Sequence, residues 1–252
     1  MAADQELAGR VAIVTGAGRN IGRAIALELA VGGAAVVVNA RSNHTEANAV
    51  VREIEAAGGK ALAFIGDVAD AAAVEKMAAV AAERFGRIDY LINNAALRRE
   101  KAFDQMTLAD WREIMGVILE GAFNCAKACL PHLKRSGAGA IVNIGGLSAH
   151  TGAKHRAHVT AAKAGLVGFT RGLAHDLAAD NVTVNLVSPG LVATPRDPGK
   201  PEPQHHSTHH TLRGTRGTSE EMAPLVRFLC GPGARYVTGQ TIHVNGGAYF
   251  GS

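Results

Sequence analysis

The sequence has few of the features that mark secreted, disulfide-bonded or membrane proteins. It contains only three cysteines (Cys125, Cys129 and Cys230), an odd number that favours free thiols and a reducing compartment. Residues 1–10 are polar and acidic, unlike a signal or transit peptide. No apolar run approaches the ~20 residues that a membrane helix needs. We therefore expect a soluble, cytoplasmic protein with no membrane partner.

Aromatic residues and clustered charge are also scarce. Aromatics make up 4% of the chain, whereas it contains 30 glycines, a balance that favours the close backbone packing of an α/β fold over an aromatic-rich β-sandwich. Hydrophobic residues make up 47%, which is typical of a globular protein. Lysine and arginine are in slight excess, giving a formal net charge of +4, but they are scattered. Without a basic arm or helix face, no nucleic-acid partner is expected.

Short β-branched runs alternate with Ala-rich helical patterns along the whole chain. The predicted strands are Val11–Thr15, Ala35–Asn39, Ala61–Ile65, Tyr90–Asn93, Ala140–Ile144, Val182–Val187 and Thr241–Val244. Helices are predicted near 20–32, 43–57, 70–85, 107–135, 157–179 and 219–230. This rhythm predicts one α/β domain over residues 1–252, a doubly wound parallel sheet of the Rossmann type with helices on both faces. The one break, at 195–216, is rich in proline and histidine and predicts a flexible substrate lid.

The first predicted strand leads directly into a glycine-rich turn and then a helix. The turn reads Thr15-Gly16-Ala17-Gly18-Arg19-Asn20-Ile21-Gly22. Glycines here permit a tight turn and let a pyrophosphate approach backbone N–H groups at the helix N-terminus. Because the turn follows strand one of a long βα alternation, it indicates a nucleotide-binding site.

Further motifs follow in order along almost the whole chain. They are Gly66-Asp67-Val68, Asn93-Asn94-Ala95-Ala96, Lys163 in Ala-Ala-Lys-Ala-Gly, Ser188-Pro189-Gly190 with Thr194, and the segment 236–247. With the glycine-rich turn, this series resembles the short-chain dehydrogenase/reductase family, and in particular members similar to 3-oxoacyl-carrier-protein reductases. The resemblance implies cofactor contacts at Gly16, Gly18, Arg19, Asn20, Ile21, Gly22, Asn39, Arg41, Asp67, Val68, Asn94, Ala95, Lys163, Pro189, Gly190, Val192 and Thr194.

The charges near the second strand favour NADP(H) over NAD(H). NAD-binding sites place a carboxylate at the end of strand two to accept hydrogen bonds from the ribose. This chain has Asn39 there and then Arg41, and Arg19 lies within the glycine-rich turn. Two guanidinium groups suit the dianionic 2′-phosphate of NADPH. The alternative is that both are ordinary surface arginines.

The catalytic groups that the resemblance implies are mostly missing. The family uses a Ser-Tyr-Lys trio and an Asn, with the tyrosine four residues before the lysine. Here Lys163 is present, but Val159 stands at the tyrosine position, Gly146 at the serine position and Ile118 at the asparagine position. Valine, glycine and isoleucine carry no proton to transfer.

Other polar residues near Lys163 are candidates for the missing proton donor. Ser148, His155 and His158 lie close in sequence, and imidazole suits proton transfer near neutral pH. His155 would share the face of Val159 if the helix began early. The alternative is that all three are loop or surface residues. The sequence thus predicts an NADP(H)-dependent oxidoreductase acting on a carbonyl or alcohol through a non-standard site, or a catalytically silent NADP(H)-binding sensor or scaffold.

Three further features have weaker interpretations. Cys125, Cys129 and His132 have one-face helical spacing, but in an apolar helix buried thiols are more plausible than a metal site. The pairs His205/His209 and His206/His210 are attributed to the lid, so no metal is predicted. Arg98 and Arg99 are either contacts for an anionic substrate or plain surface residues. The family resemblance also implies a small-molecule substrate and a homotetramer or homodimer.

Overall fold

Seven parallel strands form one sheet in the computed structural model, which describes residues 5–194 and 210–251. The strands are β1 (Val11–Val14), β2 (Ala35–Ala40), β3 (Ala61–Ile65), β4 (Tyr90–Asn93), β5 (Ala140–Ile144), β6 (Thr183–Pro189) and β7 (Thr241–Val244). Their order across the sheet is β3-β2-β1-β4-β5-β6-β7. Strand β6 continues beyond its predicted end because its last residues pair with β7.

Helices connect the strands in the predicted alternation. They are α1 (Asn20–Val31), α2 (His44–Ala56), α3 (Ala71–Phe85), α4 (Leu108–Met115), α5 (Gly121–Arg135), α6 (Ser148–Thr151), α7 (Ala157–Leu177) and α8 (Ala223–Cys230). Helix α8 begins four residues later than predicted, because Ser219–Met222 forms a turn and proline occupies the first helical turn.

Alternate side chains of the buried strands enter two cores. In β1, Ala12 and Val14 pack with α1, α2 and α8 on one face of the sheet. Ile13, between them, packs with α3, α5 and α7 on the other face. All four β1 residues are buried, as a strand covered on both faces requires. The predicted doubly wound sheet with helices on both faces is confirmed.

The long helical stretch between β4 and β5 belongs to this core. Residues 108–135 run continuously through α4, a π-helical turn at Gly116–Glu120, and α5. The stretch is long and apolar enough to span a membrane by length and composition alone. Its α5 part packs against α3 and β4, however, and core helices of soluble proteins meet the same criteria.

The chain reverses its direction of winding at β1, and this reversal positions the site. From β1 the chain moves to β2 and β3 on one side, and then crosses to β4 on the other side. In open α/β sheets, ligands bind at the carboxyl ends of the strands beside such a switch point. The predicted lid at 195–216 falls mostly outside the described residues and stays a prediction.

Candidate active site

A cleft of about 950 Å³ opens at the carboxyl ends of the strands, beside the switch point. It is lined by every residue predicted to bind the cofactor, namely Gly16, Gly18, Arg19, Asn20, Ile21, Gly22, Asn39, Arg41, Asp67, Val68, Asn94, Ala95, Lys163, Pro189, Gly190, Val192 and Thr194. The fold therefore brings together groups that are spread over some 180 positions of the sequence.

The glycine-rich turn forms one wall of the cleft and requires its glycines. Gly16 has a φ of +61°, and a Cβ there would lie 2.9 Å from the Cα of Ala95. A Cβ at Gly22 would overlap the carbonyl oxygen of Gly16. The turn thus leaves no room for side chains at these positions and exposes the N-terminal end of α1 to the cleft, which is the arrangement that binds a pyrophosphate.

Hydrogen bonds fix this turn to the end of β4. The side-chain amide of Asn94 donates to the carbonyl oxygens of Thr15 (2.9 Å) and Gly16 (3.0 Å). The hydroxyl oxygen of Thr15 accepts from the backbone N–H groups of Asn94 and Ala95, both at 3.0 Å. These hydrogen bonds hold the glycine-rich turn against the residues that follow β4.

The end of β2 carries no carboxylate toward the cleft. Asn39 is buried; its amide donates to the Gly66 carbonyl (3.0 Å) and its oxygen accepts from Gly16 N–H (3.3 Å). Arg41 is exposed, and Arg19 has a side chain that is 66% exposed. Sequence reasoning missed Glu46, which lines the same cleft with a carboxylate 4.0 Å from the Arg19 guanidinium. A phosphate bound to Arg19 would have to displace this weak partner.

Lys163 is a buried titratable group that also lines the cleft. The residue is only 8% exposed, and its Nζ donates to the carbonyl oxygen of Ile144. Burial, followed by the nearby charges of Arg98 and Arg156, lowers the Lys163 pKa from 10.5 to about 7. A lysine with such a pKa exchanges its proton readily at neutral pH.

The positions where the family resemblance implies an asparagine, a tyrosine and a serine carry no polar side chain here. They are Ile118, Val159 and Gly146. Ile118 and Val159 are buried at 2% and 4% exposure and belong to one hydrophobic cluster, together with Leu166 and Leu186. Val159 also lines the cleft, as does Gly146. A Cβ added at Gly146 would meet no atom of the described residues within 4 Å.

The three candidate substitute donors lie in different places. Ser148 lines the cleft at the first turn of α6. His155 does not: α7 begins at Ala157, as predicted, so the early start that would have put His155 on the face of Val159 does not occur, and His155 has a left-handed φ of +60°. His155 instead lines a separate pocket of about 670 Å³ beside Phe103.

His158 is in α7 but outside the residues that line the cleft. It is 1% exposed, and burial lowers its pKa. Its Nδ1 has no hydrogen-bond partner within the described ranges. The geometry therefore leaves Ser148 and Lys163 as the catalytic candidates that face the cleft.

Three arginines line the cleft near Lys163. Arg98 and Arg99 follow β4, and Arg156 immediately precedes α7. Sequence analysis identified Arg98 and Arg99 as possible substrate contacts. It did not identify Arg156, because a single charged residue before a helix is not part of any periodic pattern.

The cysteines are buried, as predicted for the pair in the apolar helix. Burial raises the pKa of Cys125 to about 12 and raises the pKa values of Cys129 and Cys230 further. Over residues 5–194 and 210–251, no three His, Cys, Asp or Glu side chains are grouped to hold a metal ion. The histidine pairs at 205–210 lie largely outside that range.

The parallel sheet and the cleft at its carboxyl edge are typical of dinucleotide-binding proteins. Comparison with known proteins identifies the family. A family profile described as enoyl-(acyl carrier protein) reductase matches residues 16–249. A 3-oxoacyl-[acyl-carrier-protein] reductase of Synechocystis sp. is 41% identical over 96% of this chain and 97% of its own length. The chain belongs to the short-chain dehydrogenase/reductase family of oxidoreductases.

Solved structures agree with this assignment. A dehydrogenase/reductase from Sinorhizobium meliloti superposes with a TM-score of 0.92 at 36% identity, covering 99% of both chains. A short-chain dehydrogenase from Burkholderia cenocepacia, solved in complex with NADP, gives a TM-score of 0.89 at 36% identity, covering 96% of this chain and 99% of the other.

Proposed function

We propose that this protein is an NADP(H)-dependent oxidoreductase that interconverts a carbonyl and an alcohol with Lys163 as its proton-transferring group. The observation that carries the proposal is the position of Lys163: a buried amine with a pKa of about 7 that lines the same cleft as the glycine-rich turn. It is the cleft group best matched to proton exchange at neutral pH.

The residues of the cleft fit NADP(H). The close packing at Gly16 and Gly22 leaves a cradle that any side chain would fill, at the N-terminus of α1. Arg19 and Arg41 would hold the 2′-phosphate, while Pro189, Gly190 and Thr194 would contact the nicotinamide end. When bound, the nicotinamide supplies or accepts a hydride. The Burkholderia cenocepacia relative, solved with NADP, supports this choice of cofactor.

Lys163 would complete the reaction by moving one proton. In the direction of reduction, an Nζ–H bond breaks as the substrate oxygen takes the proton, and the neutral amine then regains a proton from solvent. Ser148 lines the same cleft, and its hydroxyl would hydrogen-bond the substrate oxygen. His155 and His158 have no part in this proposal because the structure places them outside the cleft lining.

Fluorescence titration and turnover test the proposal together. NADPH should bind to the wild-type protein and, with one predicted contact fewer, to Lys163→Met, whereas turnover with the cognate substrate at saturating NADPH should be lost only in the variant. Removal of a general acid typically lowers the rate about 10²–10⁴-fold. Ser148→Ala should retain measurable turnover. Turnover in Lys163→Met at the wild-type rate would refute the assignment of the proton.

A second candidate function is a catalytically silent NADP(H)-binding sensor or scaffold. The packing of Ile118 against the Val159 cluster favours it, because these two positions carry no polar group toward a substrate. Under this hypothesis the cleft binds the cofactor but does not catalyse a reaction. Wild-type protein would then bind NADPH but oxidise it with no carbonyl compound.

A reconstruction experiment separates the two candidates. The triple variant Gly146→Ser, Val159→Tyr and Ile118→Asn restores the groups that the family resemblance implies, and the open space at Gly146 accepts the serine. Val159→Phe in place of Val159→Tyr is the matched control without the hydroxyl. The silent function would be supported if the wild type is inactive and the triple variant reduces ethyl acetoacetate while its phenylalanine control does not. An active wild type with the Lys163 dependence described above would exclude it.

We also propose a homotetramer or homodimer in the cytoplasm that acts on a small molecule. These proposals rest on the family and on its relatives rather than on any contact within the chain.

A further inference from the structure

Three rings form a cluster between α6, β7 and the C-terminal segment, outside the residues that line the cleft. His150 is in α6 and His243 is in β7, and their ring centroids lie 4.7 Å apart in an edge-to-face arrangement. The ring of Tyr249, which follows β7, stacks on His150 at 5.4 Å and contacts His243 at 5.0 Å. The cluster therefore joins the last residues of the chain to α6.

The alternation of side chains along β7 explains how His243 reaches this cluster. Ile242 and Val244 pack against the core that the sheet forms with α1, α2 and α8. Because successive side chains of a strand point to opposite faces, His243 lies on the other face of the sheet. It meets the rings of His150 and Tyr249 there.

Both imidazoles have a ring nitrogen that is shielded from solvent and makes no hydrogen bond. These atoms are Nε2 of His150 and Nδ1 of His243, which have no partner within residues 5–194 and 210–251. A neutral imidazole has one N–H donor, whereas a protonated imidazole has two donors and a charge, so its burial without partners costs more. The cluster therefore favours two neutral rings.

The neighbouring groups act in the same direction. Strand β7 presents His243 to His150, the C-terminal segment presents the Tyr249 phenol, and α7 contributes the charge of Arg171. Burial lowers the pKa of both histidines, and the charges of His243 and Arg171 lower the pKa of His150 further. Protonation of both rings would place two positive charges side by side in a partly buried cluster, where they repel one another.

The hydrogen bonds of the C-terminal segment, residues 245–251, are mostly internal. The Asn245 amide donates to the Tyr249 carbonyl (2.8 Å), and its oxygen accepts from the Gly247 N–H (2.9 Å). A bond from outside the segment runs from the Arg213 N–H to the Gly246 carbonyl (3.3 Å). These bonds shape the segment, whereas the rings attach it to α6.

The segment and α6 also adjoin the cleft. A Cβ at Gly190 would lie 2.6 Å from the Cα of Asn245, and the Leu147 N–H at the start of α6 donates to the Pro189 carbonyl (2.9 Å). Pro189, Gly190 and Ser148 all line the cleft. A change in the attachment of the segment therefore acts on residues next to the cleft wall.

We propose that His150, His243 and Tyr249 form an acid-sensitive latch, which holds the C-terminal segment on α6 while both imidazoles are neutral and releases it when they are protonated. The sign follows from linkage. Because the pKa values in the attached state lie below the ordinary 6.5, the released state binds more protons. Attachment is therefore complete above about pH 6.5 and weakens as the pH falls below it. The latch acts whether or not the cleft catalyses a reaction.

Digestion of the full chain with carboxypeptidase Y at pH 8 and pH 5 tests the latch. The measured quantity is the rate at which Tyr249 is removed, divided by the rate for a free peptide of residues 245–252 in the same tube. Each histidine that is protonated only after release contributes up to about 30-fold at pH 5, so this ratio should rise about tenfold or more between pH 8 and pH 5. Circular dichroism unchanged between the two pH values excludes global unfolding as the cause.

Variants separate ring packing from titration. His150→Phe with His243→Phe keeps all three rings without an ionisable imidazole, so the ratio should stay low at pH 5. His150→Ala removes one ring and should raise the ratio at pH 8 about tenfold. His155→Ala, at a histidine that lines a separate pocket, is the matched control and should behave like the wild type.

Three results would overturn the proposal: a wild-type ratio that is the same at pH 8 and pH 5, a double phenylalanine variant that responds to acid like the wild type, or equal ratios for His150→Ala and His155→Ala at pH 8. If the double variant fails to fold, the wild-type pH series and the two alanine variants still decide. None of these measurements uses NADPH or turnover, so failure of the latch is distinguishable from failure of the proposed oxidoreductase function.

Discussion

Replacement of Lys163 by methionine should make the protein more stable near neutral pH. The folded protein buries this amine and lowers its pKa from 10.5 to about 7. Methionine has a similar length and no charge, so Lys163→Met removes the cost of burying the ammonium group. It also removes the hydrogen bond to Ile144, an effect that changes little with pH.

The sign and size of the pH dependence follow from linkage. Because the folded pKa is the lower one, the unfolded chain binds more protons between about pH 7 and 10.5, and stability rises with pH across that window. The wild-type protein should gain about 2 kcal/mol from this group between pH 7 and pH 9. Lys163→Met lacks this gain, so its stability advantage should shrink by about the same amount.

Urea unfolding of both proteins at pH 7, 8 and 9 measures the effect. The informative quantity is the difference between the two free energies of unfolding, since the buried thiols and Tyr90 titrate alike in both proteins and cancel. Lys127→Met, at an exposed position on α5, is the control and should give a difference that does not change with pH. A pH-independent difference for Lys163→Met would refute the conclusion that Lys163 is neutralised by burial.

The remaining predictions concern the cofactor and the assembly. NADPH should bind at least about tenfold more tightly than NADH, and Arg41→Ala should reduce that preference, because charge-assisted contacts to the 2′-phosphate contribute roughly 1.5–3 kcal/mol each; equal affinities in a fluorescence titration would contradict the assignment. Light scattering at micromolar concentration should give a dimer or tetramer of the 26.1 kDa chain, and a mass of 26.1 kDa would contradict the proposed assembly.

Most of the fold was predictable because its physical signals are local. Strands buried on both faces give uninterrupted apolar runs such as Val11–Val14, and four of the seven strands have the predicted bounds. The cofactor-binding end of the cleft was equally predictable from sequence, because a glycine-rich turn is required only where backbone segments approach closely, as at Gly16 and Gly22. The alternation of strands and helices along the chain then predicts a cleft at the carboxyl ends of the strands.

The substrate end was harder to predict because it depends on single side chains. His155 was a candidate only if the helix began before residue 157, and the left-handed conformation that places it outside α7 has no signal in the sequence pattern. Arg156 and Glu46 line the cleft as isolated charges, and an isolated charge in a sequence is typical of an exposed surface position. Only the three-dimensional structure shows that Arg156 is buried beside Lys163.

The packing of Ile118 and Val159 makes a single polar substitution at either position costly. Both side chains belong to the same hydrophobic cluster, so a tyrosine or asparagine at either position would lie among apolar neighbours. A buried polar group left without a partner costs about 1–3 kcal/mol. Lys163 has a hydrogen-bond partner in Ile144 and does not depend on that cluster. We assign the proposed proton transfer to Lys163, whose pKa is lowered mainly by burial and further by the charges of Arg98 and Arg156.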